Sequence, residues 1–312
     1  MYPTLSHLIK GLTGIWVPLP FATFGFFVAL SFLACAFFFK LELKRKEKDD
    51  LVFSFFNKEG NSVHPYETVG IMMMIAAVSG LIGARIFSIL EYPDEFKRAP
   101  LETLTSFSGL TFYGGLIFGS IAVIWYARTK GIATAHLIDA CAPALMLAYS
   151  TGRIGCQLAG DGDWGINNTL AKPGWLSAFP DWVWSYNYPH NVIEEGVPIF
   201  GCTEKYCNVL PVPVFPTPFY ETIICLLFFI FLWSIRKKIN IAGLMFSIYL
   251  MLNGIERFFI EKIRIDSEYV IFNTHIKQAT LISIILFFGG LISSVILILR
   301  NMSSKHLNKI SS

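Results

Sequence analysis

The sequence predicts an all-α polytopic membrane protein, with about seven transmembrane helices and a small irregular extracytoplasmic head. Three observations predict it. Of the 312 residues, 54% are hydrophobic and only 15% are charged, and the mean hydropathy is +0.55, too apolar for two soluble domains. Apolar runs recur along the chain, and a run of about 18 residues is long enough to cross a bilayer. Between the fourth and fifth runs lies one long stretch, 153–214, rich in Gly and Pro and holding four of the seven tryptophans.

The spans fall at 21–39, 67–90, 110–127, 133–151, 215–235, 241–261 and 280–299. Residues 1–312 therefore read as a single integral membrane domain, with 153–214 as a head inserted between spans four and five. The third span is glycine-rich. Gly115 and Gly119 stand four apart, as do Ser79 and Gly83 in the second span, and such pairs suit close helix contact. Orientation follows from Lys and Arg density. Segments 40–66, 128–136, 236–240 and 300–312 carry 14 in 54 residues, against 9 in 119 for the segments on the other side. The denser side is expected to be cytoplasmic, which places the N-terminus outside and the C-terminus inside. The N-terminus, MYPTLSHLIKGLTGIW, lacks the charged n-region of a cleavable signal peptide.

The net charge of +3, with no basic stripe interleaved with aromatics, argues against a nucleic-acid partner. HExxH, GxSxG and Walker A motifs are absent, and no metal-ligand cluster is visible, so neither metal nor cofactor is expected. Of the histidines, His64, His136 and His306 fall on the inner side; His7, His190 and His275 fall outside but stand isolated. Cys35, Cys141 and Cys225 lie in spans, where cysteine behaves as a small hydrophobe. Cys202 and Cys207, in GCTEKYCN of the head, would pair as a disulfide in an oxidising compartment. Cys156 reads either as another small buried residue or as a nucleophile, although no histidine is near it in sequence.

Charges at membrane depth carry the functional signal, because burying them is costly. Arg85 lies inside the second span and Arg153 closes the fourth, opening the stretch RIGCQLAGDGDWG with Asp161 and Asp163. Glu221 opens the fifth, and the sixth ends in ERFFIEKIRID with Arg257, Glu261 and Arg264. The last three share one helical face by their spacing. They read either as an internally paired helix end, with Arg264 snorkelling into headgroups, or as part of a site. The topology brings Arg85, Tyr113, Arg153, Arg257 and Glu261 to the outer leaflet side. Guanidinium forks pair bidentately with phosphate oxygens, so inward-facing arginines at that level suit a phospholipid. Charges confined to one leaflet speak against a transporter, which needs polar groups at the midplane.

The same residues carry a resemblance. GRIG with its Gly/Asp-rich continuation ending in WG resembles the signature of the prolipoprotein diacylglyceryl transferases. LIGARIFSILEY, LTFYGGLI, FPTPFYE and ERFFIEKIRID resemble four further motifs of that family, in the same order. The resemblance implies an enzyme of the bacterial cytoplasmic membrane that moves a diacylglyceryl group from phosphatidylglycerol to the lipobox cysteine of a prolipoprotein. The products are a thioether and glycerol phosphate. It implies as partners phosphatidylglycerol, membrane lipid and a prolipoprotein signal peptide. Arg153 matches the signature arginine, Gly165 its closing glycine, Glu221 the glutamate of the tyrosine-glutamate motif, and Arg257 with Glu261 the late pair. The expected catalytic set is Tyr113, Arg153, Arg257 and Glu261. The expected lipid-binding set is Arg85, Arg153, Gly114, Gly115, Asp161, Gly165 and Glu221.

The departures are specific. Tyr113 stands where the family has a histidine, Cys156 where it has an asparagine, and Phe24 where it has a tyrosine. The signature is one residue longer, with two acids where one is usual. The thiol's proton then has three possible routes: Tyr113, Asp161 or no dedicated base. A lipid- and lipoprotein-binding protein of the same fold, without catalysis, is the alternative reading.

Overall fold

The computed structural model describes residues 1–57, 59–105, 109, 111–265, 268–271 and 274–310. Leu110, the first residue of the expected third span, and the side chains of His275 and His306 lie outside what is described. The described chain is built from ten α-helices: α1 (Leu5–Thr13), α2 (Thr23–Lys48), α3 (Val69–Glu91), α4 (Pro93–Arg98), α5 (Pro100–Thr105), α6 (Phe112–Thr129), α7 (Thr134–Ala159), α8 (Thr217–Ile235), α9 (Leu244–Ile260) and α10 (Gln278–Ile310). Three antiparallel hairpins of two short strands each complete it, with no closed sheet among the described residues.

Each of the seven expected spans coincides with one of α2, α3 and α6–α10. Among the described residues, four helical stretches are long and apolar enough to cross a membrane by length and composition: Thr23–Lys48, Pro65–Glu91, Thr217–Ile235 and Gln278–Ser303. The others fall outside that set. α9 has 17 residues and includes Glu256 and Arg257, while α7 carries Asp139, Arg153 and an internal Pro143. In α10, Ile284, Ile285, Phe288 and Ile292 are exposed, as expected of a helix whose solvent is hydrocarbon rather than water. With its many exposed apolar side chains, the fold is that of an all-α polytopic membrane protein.

The chain divides into two compact units, Met1–Cys35 with Ala142–Ser312, and Ala36–Cys141. In the smaller unit α3 packs on α6 through small residues. A Cβ on Gly114 would collide with the Gly83 carbonyl and sit 2.7 Å from Phe87 Cβ, and one on Gly115 would sit 3.2 Å from the Gly80 carbonyl. Backbone contact of this kind is how helices associate where no water drives them together. Thr111 Oγ1 donates to the Ala84 carbonyl at 3.0 Å and ties the start of α6 to α3.

In the larger unit α9 packs on α10 by the same device. A Cβ on Gly254 would meet the Ser283 carbonyl at 2.7 Å, and one on Gly290 the Ser247 carbonyl at 2.6 Å. Ser150 Oγ donates to the Thr222 carbonyl at 2.8 Å, tying α7 to α8. The helix α7 does not stop at Arg153, as its charge suggested, but runs on to Ala159. There Gly160, at φ +66°, donates to the Cys156 carbonyl at 3.0 Å and ends it. Beyond it, Trp164, Tyr188, Leu210 and Val214 form a small buried core. Burial pushes the Tyr188 hydroxyl well above its ordinary pKa, and it donates to Gln157 Oε1 at 2.8 Å. Cys202 and Cys207 are joined in a disulfide, with their Cα atoms 5.6 Å apart.

Candidate functional site

In the larger unit three arginines gather around one carboxylate. Glu221 lies in the first turns of α8, directly after the Pro-rich entry VPVFPTPFY, and its side chain is fully buried. Its Oε2 lies 2.9 Å from Arg153 Nε of α7. Its Oε1 lies 3.2 Å from Arg257 Nη1 of α9 and 3.5 Å from Arg264 Nη1, just beyond α9. Tyr149 Oη, one turn before Arg153, donates to the same oxygen at 3.2 Å. The Arg153 guanidinium sits 5.3 Å from the centre of the Tyr149 ring.

A second carboxylate bridges from the other side. Asp163 pairs with Arg153 through one oxygen and with Arg264 through the other. Burial alone would raise the Asp163 carboxyl, but Arg153 and Arg264 outweigh it and hold the group below the usual carboxylate range. The opposite holds for Asp161, which burial raises, with the neighbouring Asp163 charge adding to the shift. Two acids two residues apart are thus driven in opposite directions.

The backbone explains how Asp163 gets there. Gly165 donates to the Phe215 carbonyl and Ile166 to the Ile263 carbonyl, both at 2.8 Å. Gly165 also forms an antiparallel bridge with Arg264, and Thr217 Oγ1 donates to the Asp163 carbonyl at 2.7 Å. The strap after α7 is therefore clamped between the start of α8 and the end of α9. Only glycine fits at 165, because a Cβ there would collide with the Ile263 carbonyl and lie 2.9 Å from Phe215 Cβ.

The remaining expected residues fall as follows. Glu261 caps the end of α9, 2% exposed, with its N–H donating to the Arg257 carbonyl at 3.0 Å. Arg264 does not snorkel; it is 8% exposed and ion-paired, because two buried carboxylates compete successfully with the headgroup region. Cys156 is buried, with Arg153 Nη1 3.7 Å from its sulfur. Phe24 of α2 packs at Gly155, where a Cβ would come 3.4 Å from the Phe24 carbonyl. Arg85 and Tyr113 belong to the smaller unit, both half-buried, and Gly114 and Gly115 face α3 there. Sequence reasoning passed over Tyr149, which carries no motif, and Glu256, the first residue of ERFFIEKIRID, and gave Asp163 no role of its own.

Three guanidiniums held by two carboxylates form a preorganised cationic cluster at the meeting of three helix ends. Each guanidinium presents five N–H donors in a planar fork, the donor geometry that suits an anion such as a phosphate. A sequence model of the prolipoprotein diacylglyceryl transferase family matches residues 11–296, nearly the whole chain and all of this cluster. The chain belongs to the prolipoprotein diacylglyceryl transferase family. Proteins named phosphatidylglycerol–prolipoprotein diacylglyceryl transferase resemble it at moderate identity. One from Leptospira interrogans is 26% identical over 271 residues, 78% of this chain and 72% of that protein. One from Enterococcus faecalis is 28% identical over 242 residues, 76% and 77% of the two chains. One from Clostridium botulinum is 30% identical over 234 residues, 73% and 79%. By family the chain is a transferase of lipoprotein biosynthesis, and the family together with the apolar helices makes it a multi-pass protein of the inner membrane.

Proposed function

We propose that this chain transfers a diacylglyceryl group from phosphatidylglycerol to the lipobox cysteine thiol of prolipoproteins, forming a thioether and releasing glycerol phosphate. One observation carries the reading: Arg153, Arg257 and Arg264 converge on Glu221 and Asp163 in a buried cluster. The thiolate is the nucleophile, because the thiol is far weaker. Its sulfur attacks the glycerol carbon that bears the phosphate. The carbon–oxygen bond breaks, and the electron pair leaves with the phosphate. That charge needs stabilising in the transition state, and the Arg153 and Arg257 donors supply it. Glu261 orients Arg257 from the end of α9, and Glu221 holds both arginines at a fixed spacing.

Tyr113 and Arg85 enter on their motifs alone. Tyr113 is the proposed acceptor of the thiol proton, in the place of the family's histidine, and Arg85 is a further phosphate contact. The N-terminus lies outside and the C-terminus in the cytoplasm, by the Lys and Arg asymmetry.

The test is transfer of labelled diacylglyceryl from phosphatidylglycerol to a lipobox-cysteine peptide in detergent, with an active relative run in parallel. Thioether formation by the wild type supports the reading, and loss of it in Tyr113→Phe supports the proton acceptor. Full activity of Tyr113→Phe removes that role. A lipid-supplied wild type that makes no thioether while the relative does sinks the transferase reading and leaves a binding protein, the reading that Tyr113 in place of histidine favours.

A further inference from the structure

The head carries large apolar side chains on its outside. Leu170, Trp175 and Phe179 are 66%, 77% and 56% exposed, and all three belong to one closed loop, residues 170–184. The loop is shut at its neck. Trp184 Nε1 donates to the Leu170 carbonyl at 3.0 Å, and Asn168 Nδ2 donates to the Trp184 carbonyl at 2.6 Å. Two short 3-10 turns shape it, Gly174–Leu176 and Asp181–Val183, each entered through a proline whose φ is fixed. They turn Leu176 and Val183 inward, where both are buried. The loop thus has an inside, and still its exposed rings point out. Apolar side chains grouped in this way on a surface mark a contact.

The place of the loop says which contact. Tyr220 Oη, in the first turn of α8, donates to the Val183 carbonyl at 2.9 Å. The Trp182 ring packs edge-on against Phe219, with 4.9 Å between ring centres. Phe219 heads a stripe along α8. Ile223, Leu226, Leu227 and Ile230 follow it on the same side of the helix, and all four are exposed. Because α8 is long and apolar enough to cross a membrane, that stripe faces lipid, and Trp182 continues it into the loop.

Length fixes the level. The 19 residues of α8 span about 28 Å at ~1.5 Å each, slightly less than a hydrocarbon core of about 30 Å. Arg236, Lys237 and Lys238 follow its far end at once. The Arg236 guanidinium lies 3.5 Å from the centre of the Trp233 ring, a cation and an indole together as at a headgroup boundary. With that end at one boundary, the first turn of α8 reaches the other, and the loop packed on it stands among headgroups. Lys172 lies 3.1 Å from Asp181 Oδ1 and also donates to the Phe179 carbonyl. The loop therefore brings a neutralised pair to that depth, not a lone charge.

We propose that loop 170–184 is a lipid-contact surface of the head. Leu170, Trp175 and Phe179 enter the headgroup–acyl boundary of the leaflet at the start of α8, and their partner is phospholipid. The strap that carries Asp163 runs directly into Leu170. The loop holds the strap's far end against the bilayer, while the clamp at Gly165 holds its near end.

The experiment places a nitroxide label at one position at a time in the full-length chain, in Trp175→Cys, Phe179→Cys and Glu195→Cys. Cys35, Cys156 and Cys225 are buried, and Cys141 is replaced by alanine beforehand. Glu195, exposed in the head outside the loop, is the reference. In vesicles of phosphatidylglycerol and phosphatidylethanolamine, collision with oxygen, which concentrates in lipid, is compared with collision with a water-soluble nickel chelate. The labels at 175 and 179 should meet nickel severalfold less, and oxygen more, than the label at 195. Equal nickel accessibility at all three positions overturns the proposal. Protection that develops only when a lipobox signal peptide is added also overturns it, because the surface then docks a peptide. A label in Leu170→Cys gives a second reading. Its nickel accessibility should rise severalfold when Trp175→Ser and Phe179→Ser are combined with it, with the melting temperature in detergent unchanged. No rise in the folded variant removes the two rings as the anchor and overturns the proposal. The readings at 175 and 179 decide even where the combined variant is unstable, and none of them depends on transfer activity.

Discussion

Glu221 Oε1 of α8 lies 3.2 Å from Arg257 Nη1 of α9, and this pair couples the two helices. The Glu221 carboxylate is fully buried, whereas Arg257 keeps some 22% of its side chain exposed. The anion is thus the fixed element and the cation the one that faces a ligand.

Arg257→Ala should remove a donor that acts on the developing phosphate charge while leaving Glu221 paired to Arg153 and Arg264. The expected loss is about 3 kcal/mol of barrier, or ~100-fold in kcat/KM. Arg257→Lys should recover only part of it, because an ammonium cannot reproduce the planar fork. Measured transfer to a lipobox peptide decides; activity within a few fold of wild type for the alanine variant would remove Arg257 from the reaction.

Glu221→Ala is a different kind of lesion. It leaves three guanidiniums short of a buried counter-charge. Breaking such a pair from one side costs about 3–5 kcal/mol. The expected result is a large fall in thermal stability in detergent along with activity, whereas Arg257→Ala should lose activity with a smaller fall. Equal melting temperatures for Glu221→Ala and wild type would contradict the buried network.

Asp163 makes a pH-dependent prediction. Its carboxyl is held below the usual range by Arg153 and Arg264, against the opposing pull of burial. A depressed folded-state value means stabilisation that is fully present above the unfolded carboxylate value, about 3.9, and is lost as pH falls through the lower folded value. Wild type should therefore lose melting temperature only as the pH falls below about 4. Asp163→Asn should start lower and lack that component of the decline. Parallel acid profiles for the two proteins would disprove the assignment.

Gly165→Ala should disturb the clamp without touching any charge. The added methyl collides with the Ile263 carbonyl and crowds Phe215. Overpacking of this kind costs about 1–3 kcal/mol. Displacement of the strap also moves Asp163 away from Arg264, so activity should fall together with stability. Gly174→Ala, at a position where a Cβ meets nothing within 4 Å, is the control that should behave as wild type.

How much of this could be read beforehand depended on the kind of interaction. The positions of the helices were legible, because hydropathy responds to local composition and bilayer thickness sets the length of an apolar run. Arg153, Glu221 and Arg257 were legible as well, because charge at membrane depth is rare and conspicuous. The length of α7 was misjudged at Arg153, since a guanidinium paired with Glu221 and Asp163 no longer has to mark the end of a helix.

By itself, then, the sequence determined the class of protein, its apolar helices and the residues too polar to sit in lipid without a reason. The tertiary structure alone decided their partners. Arg264 and Asp163 are 101 residues apart, and Tyr149 and Glu221 are 72 apart. No periodicity links positions so distant. Whether a charged side chain snorkels or is buried depends on whether a counter-charge arrives from another helix, and that is settled by how α7, α8 and α9 pack, which local pattern does not encode.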